Sequence, residues 1–435
     1  MRMRRTITIV VALLVMLGIG WFIVDHGRHR ESEMAPQRLK NGPSVSLVDR
    51  LITVAEAKVR RLPKSVDAYT ELSAAFMRKA RETGDSSYYV RAQAAGQKGL
   101  ELEPENYAAL RQLAWIYNGL HEFQKSLAIA EKARDKEPQD PWNYGMIGDA
   151  LIELGQYERA AAAIQKMVDL RPDTASYSRA AYLRELYGDL EGAIQIMNMA
   201  LNAASSRDSE MLAWCATQLG NLYLGGGQLQ AAEQQFTWAL QVFPNYFHAL
   251  LGMGRACAAQ KKFHHAVECY KQSIAIAPQT EAVAELGDIY SLLGRREEAT
   301  RQYELIEAIE QINRSNQVQP DAWLAMFYAD HDLRLDEAVK IAQRQAAQRK
   351  DIQTYDALAW AYYKVGRYAE AEKAMAQALR LGTKVASYFY HAGMIKSKLG
   401  QVAAARQYLR RALELNPVFH PVHAEAARAT LKTLS

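Results

Sequence analysis

The chain of 435 residues has only three cysteines, Cys215, Cys257 and Cys269. So small and odd a number excludes a disulfide framework, and no two stand in a C-x-x-C pair, which excludes a structural zinc site of the usual kind. A phosphate loop is missing as well. Gly225, Gly226 and Gly227 have its composition, but no strand precedes them and no Lys-Ser/Thr follows. No Ser/His/Asp set and no pair of carboxylates rises above background, so the chain reads as non-catalytic and free of cofactors. His264, His265 and Cys269 are too few for a metal site, as are His420 and His423, because a site needs more ligands and groups that orient them. An excess of one charge is also lacking: the formal net charge is +5. Residues 1–64 hold twelve Lys/Arg against five Asp/Glu, so the remainder is slightly acidic. That balance excludes a basic nucleic-acid platform.

Long apolar runs are absent, with one exception. Residues 6–24 carry no charge and are rich in Val, Ile and Leu, behind a basic stretch at residues 1–5. Nineteen helical residues span roughly 28 Å, close to the hydrocarbon thickness of a bilayer. The run reads as a transmembrane signal-anchor. A cleaved signal peptide is the competing reading, but the run is long for one and Trp21-Phe22-Ile23 provides no small-residue cleavage site. Positive charge is nearly balanced across the span. A short basic N-terminus before a single span usually stays in the cytoplasm, which puts the rest of the chain in the periplasm of an envelope. Three unpaired thiols argue mildly the other way. Residues 25–46 are polar and read as a flexible tether. Residues 47–64 regain helical spacing, as a lone helix or partial repeat.

Beyond residue 64 the chain is periodic. Pro104, Pro138 and Pro172 stand 34 residues apart. Between them Tyr144, Gly148, Leu151, Gly155, Tyr157, Ala160 and Ile164 fall where a helix–turn–helix pair needs them. The pattern resembles the tetratricopeptide repeat. Leu219-Gly220, Tyr223, Gly227, Ala232 and Phe236 repeat it, as do Leu358-Ala359, Tyr362, Gly366, Tyr368 and Ala371. The resemblance implies an all-α, right-handed superhelical solenoid of about ten helix pairs, preceded by one transmembrane helix. Repeats 1–4 are expected over residues 65–206, and repeats 5–7 with an irregular joint over 207–319. Repeats 8–10 are expected over 320–417, and a C-terminal capping helix over 418–435. The period slips near residues 202–210 and 307–319, which would divide the array into three semi-independent segments.

The resemblance also implies that the first helix of each pair lines a concave face. Carried over by register, the partner-binding candidates are Arg111, Trp115, Asn118, Trp142, Asp149, Tyr182, Trp214, Asn221, Arg255, Trp360, Tyr363 and Tyr390. Glu153, Glu185, Leu224 and His248 fall at equivalent positions. Four tryptophans in one register suggest either packing between first helices or an aromatic-lined groove. The paired asparagines of a carboxylate clamp are missing. A protein or peptide ligand on the concave face is the leading expectation, in an envelope assembly or biogenesis adaptor held at the inner membrane by residues 6–24. In layout the chain resembles anchored repeat proteins that regulate lipopolysaccharide synthesis, without their cysteine-bearing metal module. The alternative is a carbohydrate-handling solenoid of exopolysaccharide export.

Overall fold

A computed structural model describes residues 47–83, 85, 87–316 and 318–434. The expected anchor at 6–24, the stretch before it and the tether at 25–46 lie outside the described residues. Among the described residues no helix is long and apolar enough to cross a membrane. These residues form 22 helices, with no strand among them. Leu47–Arg61 leads, ten antiparallel pairs run from Val66–Thr83 to Val402–Leu415, and His423–Thr433 closes the series.

Local chemistry explains the boundaries. Asp140, Asp173, Asp208, Asp321 and Asp351 each cap a first helix, accepting a backbone N–H of its opening turn. In repeats two to ten the chain turns between the two helices of the pair through a left-handed residue. In the third repeat Gly155 N–H donates to Ile152 O at 2.9 Å and Gln156 N–H to Leu151 O at 2.8 Å, the double bond of a Schellman ending. The second helix ends two residues before its proline, as in Phe123–Lys136 ahead of Pro138.

Each first helix packs on its own second helix, and most also pack on the first helix of the next repeat. Small residues make the approach. A Cβ on Gly148 would stand 2.7 Å from Ile164, and one on Gly220 2.4 Å from Phe236. Phe236, Tyr157 and Tyr270 are fully buried in these junctions.

The array does not loosen where the period slips. The second helix of repeat seven runs unbroken over Arg296–Ser315, a stretch of Glu, Gln, Arg and Ile without a breaker before Pro320. Residues 46–435 cluster as one compact unit. The reason is that the superhelix meets itself. The turn of repeat three sits against the loop between repeats eight and nine: Lys350 N–H donates to Glu153 O at 3.2 Å, Ile352 N–H to Tyr157 Oη at 2.9 Å, and Arg349 pairs with Glu153. The turn of repeat four meets the next loop, where the Thr383 hydroxyl donates to Leu186 O. The turn of repeat five meets the loop after repeat ten, where Asn416 Nδ2 donates to Leu224 O at 2.9 Å. Lys261 of repeat six reaches Glu425 of the closing helix at 3.3 Å. One hydrophobic core therefore contains both Leu186 and Ile352.

Candidate functional site in the superhelix interior

Closure turns the concave face into an interior. Two cavities lie along the first helices of repeats three to seven. The larger, about 500 Å³, is walled on one side by Glu185, Asn221, Leu224, Arg255 and Glu285, and on the other by Thr383, Lys384, Val385, Val418 and Phe419. The smaller, about 380 Å³, is lined by Asp149, Arg179, Tyr182 and Trp214, and shares Glu185, Asn221 and Leu222 with the first.

The candidates from register divide into three groups. Asp149, Tyr182, Trp214, Asn221 and Arg255 line these cavities. Arg111, Trp115, Asn118 and Trp142 stand nearer the N-terminal end. There the Arg111 guanidinium lies 4.6 Å over Trp142 and pairs with Asp140 at 3.4 Å, and Arg81 lies 5.3 Å over Trp115. Asn118 is half-buried beside them. Trp360, Tyr363 and Tyr390 form an aromatic cluster beneath the closing helix. Trp360 and Tyr390 are each 3% exposed, and Tyr363 stacks on Trp360 at 4.6 Å.

Charge inside the cavities is mostly matched. Arg179 grips Asp149 with two hydrogen bonds of 2.9 and 2.8 Å. Arg255 grips Glu285 at 2.6 and 2.8 Å and reaches Glu281 at 3.2 Å. Asp288 accepts from the Tyr303 hydroxyl at 2.8 Å and faces His331 Nε2 at 2.7 Å. Two groups are exceptions: among the described residues Lys384 forms no ion pair, and neither does Glu185, whose carboxyl burial alone pushes up to about 7. At the closure Glu153 also rises to about 7, because burial outweighs the pull of Arg349. Burial holds the Tyr182 phenol well above its ordinary value.

Register found one wall of the larger cavity and missed the other. Thr383, Lys384, Asn416 and Phe419 belong to loops between repeats, which carry no period. The three cysteines are free thiols; Cys257 and Cys269 share a hydrogen bond, which holds the Cys257 thiol low and the Cys269 thiol high.

Models of the tetratricopeptide repeat match residues 119–183, and again 217–281 and 357–418. The chain carries tetratricopeptide repeats. No curated protein matches it by sequence. Among solved structures it is similar to the human IFIT1 dimer with PPP-AAAA, at 17% identity over 76% of this chain and 77% of that one, with a TM-score of 0.46. It is also similar to a chain of the APC/C hetero-tetramer Cut9-Hcn1, at 14% identity over 90% and 97% with a TM-score of 0.34. A thermophilic TPR protein of Thermus thermophilus aligns at 18% identity over 44% of this chain and 98% of its own, with a TM-score of 0.38. A solenoid of tetratricopeptide repeats is an architecture for protein–protein interaction, since stacked helix pairs expose a long continuous surface.

Proposed function

We propose that this chain is a non-catalytic, membrane-anchored scaffold that holds an extended segment of a partner protein inside its superhelix. Residues 6–24 supply the anchor and residues 25–46 the tether, with the repeats on the periplasmic side of the inner membrane, in an assembly or biogenesis role. The observation that carries this reading is the larger cavity between the two superhelical turns, with the smaller one adjoining it along Glu185, Asn221 and Leu222. Their walls are apolar at Leu190, Leu222, Leu224, Val385 and Val418, with a few convergent polar groups at Asn221, Arg255 and Glu185, which is the make-up of a recognition pocket. The space admits a strand or a few side chains, not a folded domain. With Arg255 already neutralised by Glu285, the charges left without an ion pair are Glu185 on one wall and Lys384 on the other, so the segment sets a Lys or Arg against Glu185 beside apolar residues.

The carbohydrate alternative draws less support. Arg81 and Arg111 each lie over one ring face of Trp115 and Trp142, and Trp360 is buried, so these three rings offer a sugar less free surface than Trp214, which lines the smaller cavity.

The test is photo-crosslinking in membranes with the full chain, with a photoreactive residue at Asn221 or Lys384 and a control at exposed Gln165. The expected result is one partner, attached through one basic-apolar peptide, from both interior positions and not from Gln165, and lost on Glu185→Gln. Adducts of the same pattern from all three positions would sink the interior site.

A further inference from the structure

Beneath the closing helix, three side chains from three different elements converge. Asp330 ends the first helix of repeat eight (Ala322–Asp330), His391 lies in the first helix of repeat ten (Ala386–Lys398), and His423 begins the closing helix (His423–Thr433). One ligand atom of each lies within 4.8 Å of the others, and His423 Nε2 stands 3.4 Å from Asp330 Oδ1. We propose that Asp330, His391 and His423 form a site for a divalent first-row transition-metal ion of the zinc or ferrous type.

Buried polar atoms are the first argument. His391 is 2% exposed, and its Nδ1 sits 2.8 Å from Asp356 Oδ1. A carboxylate accepts only, so Nδ1 carries a proton, and in the neutral imidazole Nε2 is then the nitrogen with the free lone pair. That Nε2 is buried and has no hydrogen-bond partner. A lone pair left so is costly, and a metal ion would satisfy it.

Support around the ligands is the second argument. A metal-binding histidine usually donates its other N–H to a carboxylate, which fixes its tautomer and raises its basicity; Asp356 stands in that position for His391. Asp330 is oriented by Trp360, whose Nε1 donates to Oδ1 at 2.7 Å. Trp360 also stacks on His391 at 4.2 Å, and Tyr390 on His423 at 4.8 Å, so both imidazoles are held by rings.

Two imidazole nitrogens and one carboxylate oxygen suit zinc or ferrous iron, whereas calcium and magnesium prefer oxygen alone. Bond lengths of about 2.0–2.2 Å place ligand atoms about 3–3.5 Å apart, so closing the set asks for movements on the order of 1 Å. His420 stacks on His423 at 4.2 Å and also lines the larger cavity, which gives an ion a route to solvent and room for further ligands. The site ties repeat eight, repeat ten and the closing helix together, so an ion would lock that end of the solenoid.

The test titrates the full chain, freed of metal by chelator, with Zn²⁺ alone and with Co²⁺ alone. One equivalent of Zn²⁺ is expected, with a rise in melting temperature, and Co²⁺ is expected to give a visible d–d absorption. His391→Gln or His423→Gln should weaken uptake at least 10-fold. Asp356→Asn should weaken it about 10–100-fold, whereas His264→Gln with His265→Gln should change nothing. The proposal is overturned if neither ion gives a spectrum or a thermal shift in the unaltered chain, a readout independent of whether the variants fold. It is equally overturned if uptake survives His391→Gln plus His423→Gln, or disappears with the exposed pair His264 and His265.

Discussion

Glu185 shows how one side chain can matter to both stability and recognition. Its carboxyl is pushed up to about 7 by burial alone, above the ordinary unfolded value near 4.3. The folded state therefore binds its proton more tightly than the unfolded state does. The contribution of Glu185 to stability is complete below about pH 4 and is lost as pH rises through about 7. Glu185→Gln removes that dependence. The variant should match the natural chain near pH 4 and exceed it at pH 8 by up to about 3–4 kcal/mol, at about 1.4 kcal/mol per pKa unit over the rise from about 4.3 to about 7. Paired urea titrations at the two pH values check this, and equal stability at pH 8 would refute it. A residue that lowers stability and lines a cavity belongs with groups kept for binding. Register alone put Glu185 and Asn221 on the inner face. Trp360 has the same register and is 3% exposed under the closing helix, because an aromatic ring at a given period packs into a core as readily as it lines a groove.

At the scale of the helix pair, packing follows from the repeat pattern almost line by line. Gly220 faces Phe236, and a Cβ there would stand 2.4 Å from the ring. Gly220→Val should therefore overpack the junction and destabilise the chain by about 1–3 kcal/mol, seen as a lower urea midpoint with an unchanged slope. Pairing Gly220→Val with Phe236→Leu should recover part of the loss; no recovery would place the strain elsewhere. Pairs were legible because Gly, Ala, Tyr and Pro recur at fixed offsets, each with a local steric role. The unbroken helix over Arg296–Ser315 was less legible. It departs from the repeat pattern while keeping good helix formers, and Arg314 pairs with Glu337 of the next repeat to hold its far end.

Across the whole molecule the decisive feature is the contact between superhelical turns. Gly155 has a left-handed backbone, φ +68°, and a Cβ there would lie 2.2 Å from Lys350 O. Gly294 has a similar φ of +75° at the turn of repeat seven, with nothing within 4 Å of an added Cβ. The two form a matched comparison. Gly294→Ala should cost about 1 kcal/mol, for the left-handed conformation alone. Gly155→Ala should cost more and also part the turns, raising hydrogen exchange at Lys350 and Ile352 and enlarging the radius of gyration by small-angle scattering. Equal effects from both variants would mean that closure adds nothing to the fold.

The amino-acid sequence by itself determined the helices, their pairing and the inner register, because each depends on neighbours within about one repeat. It thereby placed Asp149, Tyr182, Asn221 and Arg255 on the face that lines the cavities. Only the tertiary structure decided that this face is enclosed, and that Thr383, Lys384, Asn416 and Phe419 form its opposite wall. Closure depends on the small rotation of each repeat on the next, accumulated from repeat three to repeat nine, and no local pattern records that sum. The gathering of Asp330, His391 and His423 has the same origin: each lies in a different element, and only the stacking of repeats eight to ten beneath the closing helix brings them within 4.8 Å.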